Sequence, residues 1–434
     1  MGQGLSCRTK EEKELFSAVQ VGDVEFFHQV LTRDSTLAHS FTLYDRNSTL
    51  HIAAANGQIE IISLLLDRFV KPDVVNRYKQ TPLMLASMHG KILCLKKLIE
   101  SGADILMFDS LNGRTCLHYA AYYGHLDCLE AILSIARTSP VAASWGFSRF
   151  VNIRDSKGAT PLHLAARQKR PQCARMLLSN GALVCASTGG YGYPGSTPLH
   201  LAARSGSLEC IRELLAWGAD RLQRDSSGRI PYTVALGHSH GACAALLNPS
   251  SLEPLVWPSP LKFMSELNDE VKSLLEEALL SANKEREKAI FKGTAFSIPS
   301  PSPSDSCIND EVSSESSEVD LCSICFDQVC TIEVRECGHQ MCAQCTLALC
   351  CHNKPSPTKP CSSPQLVCPF CRSSISKLVV AAASQDVKPR KSRRWRNHNE
   401  GCSSIKSLSF GKTGRIAAAD DDELLNKPVV EELD

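Results

Sequence analysis

Eight cysteine and histidine residues, spaced in short pairs, constrain the fold of this chain more than any other feature. They are Cys322, Cys325, Cys337, His339, Cys342, Cys345, Cys368 and Cys371. Each pair supplies half of a tetrahedral Zn²⁺ shell, so eight ligands predict two structural zinc ions. Because the segment has few large apolar residues, zinc ligation should supply much of the free energy that folds it.

A disulfide framework is the alternative, since the chain contains 21 cysteines. No secretory signal pattern precedes them, and reducing compartments keep such thiols free, so we expect metal binding. Other side chains in or beside the segment could replace a ligand: Cys330, Cys350, Cys351, His352 and Cys361. The paired spacing favours the first eight. The stretch 352–364 is rich in proline and polar residues, which predicts a loop.

Upstream, the element T-P-L-H-x-A recurs with a period close to the ankyrin value of about 33 residues. Its copies lie at residues 48–53, 81–86, 115–120, 160–165, 197–202 and 230–235. We predict about seven repeats in residues 11–248, the first and last of them degenerate. Thr81, Thr160 and Thr197 are predicted N-caps, each followed by proline at the first helical position. Gly102 and Gly218 should end second helices in the left-handed conformation.

The histidines of these elements, His51, His118, His163 and His200, recur once per repeat instead of clustering. A metal site would need several of them together, so we expect each to make loop hydrogen bonds that tie neighbouring repeats. Cysteines on the predicted helices are expected to be buried core thiols; these are Cys116, Cys128, Cys173 and Cys210.

Two insertions, at residues 138–150 and 187–195, lengthen the spacing between repeats. They carry the aromatic residues Trp145, Phe147, Phe150, Tyr191 and Tyr193. Exposed aromatic side chains in loops are credible anchors for a protein partner, and ankyrin stacks bind proteins on their concave face. The equal alternative is that these side chains fold back and cover the edge of the stack.

Between the repeats and the zinc-binding segment, the composition changes three times. Residues 249–260 form a proline-rich break, and residues 261–292 predict a helix with one apolar face. Residues 293–320 are rich in serine, proline and acidic residues, which predicts a disordered tether. The helix could pair with a partner or pack on the last repeat, and we expect packing.

The first ten residues predict lipid attachment. Residues 1–6, MGQGLS, fit the M-G-x-x-x-[ST] pattern for myristoylation at Gly2. One myristoyl chain binds a membrane only marginally, but Cys7 is placed for palmitoylation, and two chains form a stable anchor. We therefore expect the protein to be located at the cytoplasmic face of the plasma membrane, and the alternative location is the cytoplasm and nucleus.

The tail, residues 374–434, is predicted to be disordered. Its basic cluster at 388–396 is compatible with nuclear localisation, with an anionic-lipid patch or with a solvated charge run. The formal net charge of the whole chain is only +1, so we expect no nucleic-acid partner. No apolar run reaches the length that spans a bilayer.

The ligand order C3-H-C4 in residues 321–373 resembles the RING finger. That resemblance implies a cross-braced arrangement, in which the first and third pairs bind one zinc ion and the second and fourth pairs bind the other. RING fingers act as E3 ubiquitin ligases, which position an E2 enzyme carrying ubiquitin as a thioester. By resemblance, the E2-positioning residues would be Ile324, Leu349, Pro369 and the basic Arg372.

As a whole, the chain resembles the plant ankyrin-repeat RING-type E3 ubiquitin ligases of the receptor-kinase-binding XB family. The domain order, the cysteine-rich stretch 342–351 and the break W-P-S-P at 257–260 carry the resemblance. It implies an all-α ankyrin-repeat solenoid and a small zinc-stabilised C3HC4 RING domain, joined by the amphipathic helix and the disordered linker.

The same resemblance implies ubiquitin transfer from E2 to a lysine of a protein substrate on the repeats, or of the ligase itself. The substrate would be a receptor kinase or another regulatory protein. The alternative function is a non-catalytic ankyrin scaffold with a structural zinc domain. Such a scaffold would not require Ile324, Pro369 and Arg372 together.

Overall fold

The computed structural model describes residues 10–139, 144, 146–190, 192–257, 267–292, 321–352 and 366–381. Seven helix pairs lie in the repeat region of this described part. They are α1 (Lys10–Val21) with α2 (Val24–Arg33), α3 (Thr49–Asn56) with α4 (Ile59–Asp67), α5 (Pro82–Met88) with α6 (Ile92–Glu100), α7 (Cys116–Tyr123) with α8 (Leu126–Thr138), α10 (Pro161–Arg167) with α11 (Pro171–Ser179), α12 (Pro198–Ser205) with α13 (Leu208–Ala216), and α14 (Pro231–Gly237) with α15 (Gly241–Leu247). A 3₁₀ turn (Ser35–His39) and the short α9 (Phe147–Val151) lie between pairs.

The local chemistry of the repeated element produces the first helix of each pair. Thr81 and Thr197 accept hydrogen bonds from the third backbone N–H of their helices, and Thr160 takes the same extended N-cap conformation. The predicted N-caps are therefore confirmed. Gly206 ends α12 at φ 71°, where a Cβ atom would lie 2.5 Å from the ring of His240. Glycine is required there by both conformation and space.

One apolar core runs through the repeats because each helix packs on its counterpart in the next pair. The first helices of successive pairs contact one another in turn, and the second helices form a parallel row behind them. The four predicted core thiols are confirmed as buried; they are Cys116, Cys128, Cys173 and Cys210. Burial raises the pKa of Cys128, Cys173 and Cys210 to about 11, so these thiols stay protonated at neutral pH.

The aromatic residues of the first insertion fold back onto the stack. Phe150 is fully buried, and Phe147 packs against the core with the guanidinium of Arg137 4.7 Å from its ring centroid. Covering the edge of the stack is therefore the role of these two residues. Trp145 and Tyr191 lie outside the described residues.

The recurring histidines tie the repeats together, as predicted. In each, Nδ1 accepts the N–H of the N-cap residue, and Nε2–H donates to a backbone carbonyl at the start of the following repeat. The carbonyls belong to Gln80, Ala159, Ser196 and Arg229, at 2.9 to 3.3 Å. Sequence reasoning missed two further links, in which Nε2–H of His125 and His240 donates backwards to the preceding repeat.

After the repeats, α16 (Asp269–Lys292) packs on the stack through its C-terminal half. Phe291 enters the core of the repeats, and Glu287, only 4% exposed, accepts hydrogen bonds from Arg212 at 2.8 Å. Asn283 bonds both backbone groups of Leu255. Packing on the last repeats is thus confirmed. The first part of the predicted helix, residues 261–266, and the predicted tether 293–320 lie outside the described residues.

The N-terminal half of α16 packs on the zinc-binding segment, which sequence reasoning did not predict. Its buried residues share one apolar cluster with Ala216 and Trp257 of the repeat side and with the interior of that segment. From α16 these are Val271, Leu275, Ala278 and Leu279, and from the segment Ile332, Val334, Met341, Leu347 and Leu378. One helix therefore joins the two folded parts through apolar contacts.

The zinc-binding segment is a small antiparallel sheet with one helix. Strand β1 (Ile332–Val334) lies between β2 (Gln340–Met341) and β3 (Leu378–Val380), and α17 (Ala343–His352) follows β2. Ile332 pairs with Met341 on one side and Val380 on the other. Because β3 belongs to the sheet, the folded segment continues to residue 381. Our boundary at 373, with a disordered tail directly after it, was therefore too early; residues 382–434 lie outside the described part.

No helix in the described part of the chain is both long and apolar enough to span a bilayer.

We predict that Leu275→Ala loosens the attachment of the zinc-binding segment to the repeats. Leu275 is fully buried between them, and its truncation should cost about 2–4 kcal/mol of folding free energy by leaving a cavity. Hydrogen exchange in α17 and denaturant unfolding measure this loss. Leu280→Ala, the same truncation at a 41% exposed site on α16, is the matched control and should have little effect. Equal effects of the two variants would contradict the packing described.

Acid should destabilise the repeats through their histidines. Burial lowers the pKa of His51, His118 and His163 to about 4, below the value of about 6.5 in the unfolded chain. The unfolded state then binds more protons between these values, so stability is full above about pH 6.5 and falls towards pH 4. Each of these histidines should lower the free energy of unfolding by on the order of 2 kcal/mol when the pH falls to about 5.

Amide hydrogen exchange in α7 and α10, corrected for the intrinsic pH dependence, measures this effect. His163→Gln should reduce the pH dependence of protection in α10, whereas His39→Gln, at an exposed site, should not. Equal protection of the unmodified protein at pH 5 and pH 7 would refute the prediction.

Candidate metal centres

The eight predicted ligands form two clusters in space. Cys322, Cys325, Cys342 and Cys345 bring their sulfur atoms within 4.8 Å of one another, and the ligand atoms of Cys337, His339, Cys368 and Cys371 do the same. Pairs one and three thus form one site, and pairs two and four form the other. This is the cross-braced arrangement that the RING resemblance implied.

Two tight turns present the first and last cysteine pairs. The N–H of Phe326 donates to the carbonyl of Cys322 at 2.8 Å, and the N–H of Arg372 donates to that of Cys368 at 2.9 Å. Both donors have positive φ, 58° and 60°, a conformation that costs a non-glycine residue roughly 1–2 kcal/mol. Short antiparallel bridges, Leu321 to Val329 and Val367 to Ser374, close each turn and hold it in place.

The donor atoms fit Zn²⁺. The sulfur atoms of Cys325 and Cys342 are 3.8 Å apart, which matches the edge of a tetrahedron whose Zn–S bonds are about 2.3 Å long. Nδ1 of His339 is buried without a hydrogen-bond partner among the described residues, as expected of a nitrogen that ligates a metal. The hydroxyl and backbone N–H of Ser373 lower the pKa of Cys371 to about 6, which favours the ligating thiolate.

Among the described residues, the additional cysteines Cys330, Cys350 and Cys351 belong to neither cluster. Cys350 is buried, and burial raises the pKa of its thiol to about 12, so it is an inert core residue. Cys351 lies at the end of α17, with its sulfur 4.0 Å from the carbonyl oxygen of Val256. Cys330 is partly buried against the cluster shared with α16. Cys361, the side chain of His352 and the predicted loop from 353 onward lie outside the described residues.

The residues assigned to E2 contact occupy different parts of the finger. Ile324 lies in the first cysteine turn and is 43% exposed, and Pro369 and Arg372 are exposed in the last cysteine turn. Leu349 is half-buried on α17, where it packs against the apolar cluster. None of these four residues lines the cleft between α16 and the finger.

Sequence reasoning missed Phe326, which is 75% exposed directly after the first cysteine turn. Its position in that turn is the counterpart of the position of Arg372 in the last turn. That correspondence was readable in the sequence, because each residue directly follows a C-x2-C pair. An exposed aromatic ring next to Ile324 enlarges the apolar surface of the finger.

Comparison with protein families agrees with this division of the chain. Residues 321–377 match the family described as the E3 ubiquitin-protein ligase XB3/XBAT31 RING finger. Residues 15–109 and 106–188 match sets of three ankyrin repeats, and residues 194–226 match a single ankyrin repeat.

Similar proteins extend this agreement over nearly the whole chain. XBAT31 of Arabidopsis thaliana is 62% identical, over 99% of this chain and 100% of its own length. The E3 ubiquitin-protein ligase XB3 of Oryza sativa subsp. japonica is also 62% identical, over 99% of both chains. XBOS31 of the same rice is 53% identical, over 96% of this chain and 92% of its own.

We predict that Cys345→Ser lowers the zinc content from two ions per chain towards one, because it removes a ligand from the first cluster only. Elemental analysis of the purified protein gives the stoichiometry. Cys330→Ser, the same substitution at a cysteine outside both clusters, should retain two ions. Two retained ions in Cys345→Ser, or a lost ion in Cys330→Ser, would contradict the assigned ligand sets.

Proposed function

The chain belongs to the XB3/XBAT31 family of ankyrin-repeat, RING-finger E3 ubiquitin-protein ligases, and we propose how its own residues perform that activity. It is a RING-type E3 ubiquitin ligase whose ankyrin repeats bind protein substrates and whose finger carries two structural zinc ions. The observation that carries the proposal is the exposure of Ile324 in the first cysteine turn and of Pro369 and Arg372 in the last, beside two complete ligand clusters. We assign the E2 site to these two turns.

In this proposal, Ile324 and Pro369 contribute apolar contacts to E2, and Leu349 supports them from α17. The two zinc ions hold both cysteine turns in place when bound, and they take no part in the transfer itself. Phe326 would extend the same apolar surface. Because E2 contacts of this kind are apolar and shallow, truncating one central side chain should weaken the complex strongly.

Arg372 is assigned to the E2-bound ubiquitin. Its backbone is held by the hydrogen bond to Cys368, while its exposed guanidinium makes no ion pair among the described residues. A guanidinium offers several donors in a planar fork, so it can bond carbonyl oxygens of two proteins at once. Holding ubiquitin against E2 would restrict the thioester to poses that a lysine can attack.

The transfer needs no nucleophile from this chain. The amine of the acceptor lysine attacks the thioester carbonyl between E2 and ubiquitin, the C–S bond breaks, and the E2 cysteine leaves as thiol. An isopeptide bond joins ubiquitin to the lysine. The contribution of this chain is positioning, because α16 packs on both the repeats and the finger and so holds substrate and E2 on one folded body.

We also propose that the chain is anchored by acyl groups on Gly2 and Cys7 at the cytoplasmic face of the plasma membrane. The support is the myristoylation pattern with a neighbouring cysteine. Substrates would then be membrane-associated regulatory proteins, a receptor kinase among them. Residues 1–9 lie outside the described part.

Ile324→Ala should abolish or strongly reduce autoubiquitination while leaving two zinc ions bound, because it removes an E2 contact and no ligand. The assay combines the purified protein with E1, a panel of E2 enzymes, ubiquitin and ATP. Val380→Ala, an apolar truncation at an exposed site on β3, is the control and should keep full activity. If no E2 yields product with zinc-loaded, folded protein, the chain is a scaffold with a structural finger.

Gly2→Ala should release the protein from membranes, because myristoylation requires an N-terminal glycine. Membrane fractionation of cells that express the full chain measures the distribution, and Cys7→Ser should give partial release through loss of the second lipid. Unchanged membrane association of Gly2→Ala would refute the acyl anchor without affecting the ligase assignment.

A further inference from the structure

The first helices of the repeats change in chemistry along the stack. Four residues after the buried histidine position, each first helix presents one side chain at the same register. From the second pair to the last, this column reads Ala55, Met88, Tyr122, Arg167, Arg204 and Gly237. The column is thus small or apolar in the N-terminal repeats and cationic in two consecutive repeats near the C-terminal end.

The two arginines of the column gather around one aromatic ring. The guanidinium carbons of Arg167 and Arg204 lie 5.2 and 4.5 Å from the ring centroid of Tyr193, within the range of cation–π attraction. The loop that carries Tyr193 is stabilised by its own hydrogen bonds. The carbonyl oxygen of Tyr193 accepts hydrogen bonds from the N–H of Ser196 and from the hydroxyl of Thr188. Contact with the ring therefore holds both guanidinium groups in place before a ligand binds, so that ligand binding costs little further side-chain entropy.

Neither arginine forms an ion pair with a carboxylate in the described part of the chain. The acidic side chains of the adjoining loops, Asp155 and Asp225, are buried and accept backbone N–H groups of their own turns. They also pair with other arginines, Arg114 and Arg229. Their charges are thus already engaged and do not neutralise the pair on the ring of Tyr193.

Further cations flank the pair. Arg154, Lys157, Lys169 and Arg224 are exposed on the same loops and turns, and Arg154 and Arg224 use one guanidinium nitrogen each on backbone carbonyls. The net charge of the chain is only +1, so this concentration of positive charge on one face is local. A local field of one sign steers a ligand of opposite charge to that face.

From this arrangement we infer that Arg167, Arg204 and Tyr193 form the recognition site for an acidic segment of the protein substrate. The inference rests on the proposed function, in that the bound protein is the one to be ubiquitinated. Guanidinium groups bind carboxylates through paired N–H···O bonds, and two of them held in register would recognise two acidic side chains of one extended segment. The apolar part of the column would accept an uncharged portion of the same segment.

Binding of a fluorescein-labelled Asp/Glu-rich peptide to the full-length, zinc-loaded protein tests this assignment by fluorescence anisotropy. The neutral Asn/Gln counterpart of the peptide should bind far more weakly, and added salt should weaken binding of the acidic peptide. The double variant Arg167→Gln/Arg204→Gln should lose about tenfold or more in affinity. Tyr193→Phe, which keeps the ring, should bind as the unmodified protein does, and Tyr193→Leu should bind less tightly.

Arg33→Gln is the matched control, because it removes one exposed arginine from α2, away from the column, and should leave affinity unchanged. Autoubiquitination should be retained in the double variant, so failure of this inference and failure of the ligase assignment give different results. Unaltered peptide affinity in the folded double variant would overturn the inference. It would also be overturned if single-stranded RNA bound this site more tightly than the peptide did.

Discussion

The apolar face of α16 is the contact on which the arrangement of this molecule depends. Its C-terminal half enters the core of the repeats through Phe291, and its N-terminal half shares a cluster with the interior of the finger through Val271 and Leu275. The buried ion pair of Glu287 with Arg212 adds a directional contact to this apolar packing. α16 thereby places the repeats and the finger in one folded unit, and the finger also approaches the repeat side directly, where the sulfur of Cys351 lies 4.0 Å from the carbonyl oxygen of Val256.

The repeats and the finger are stabilised by different interactions. Each repeat buries its apolar surface against its neighbours, and the histidine hydrogen bonds add polar links between adjacent repeats. The finger has a small core around Ile332 and Leu347, and its eight ligand residues are gathered into two clusters that fit Zn²⁺. We therefore expect acid to weaken the repeats through their buried imidazoles, and loss of metal to unfold the finger.

Much of this structure could be predicted from short-range patterns. The C-x2-C spacing and the T-P-L-H-x-A element each specify local geometry, and both ligand clusters and the histidine links were found where predicted. Contacts between distant segments could not be predicted in the same way. The apolar face of α16 predicted packing on the last repeat but not the packing of its N-terminal half on the finger. Strand β3 is only three residues long, Leu378–Val380, without the alternation that marks a strand. The pairing of Arg167 and Arg204 on Tyr193 likewise needs the fold.

The most direct test of the central claim is single-turnover discharge of ubiquitin from a preformed E2 thioester onto free lysine, in the presence of this protein. The account predicts that the zinc-loaded protein accelerates discharge with at least one E2. It also predicts that Arg372→Ala, which leaves both metal clusters complete, loses about tenfold or more of that acceleration. Discharge that is unaffected by the folded, zinc-loaded protein with every E2, or equal acceleration by Arg372→Ala, would contradict the account.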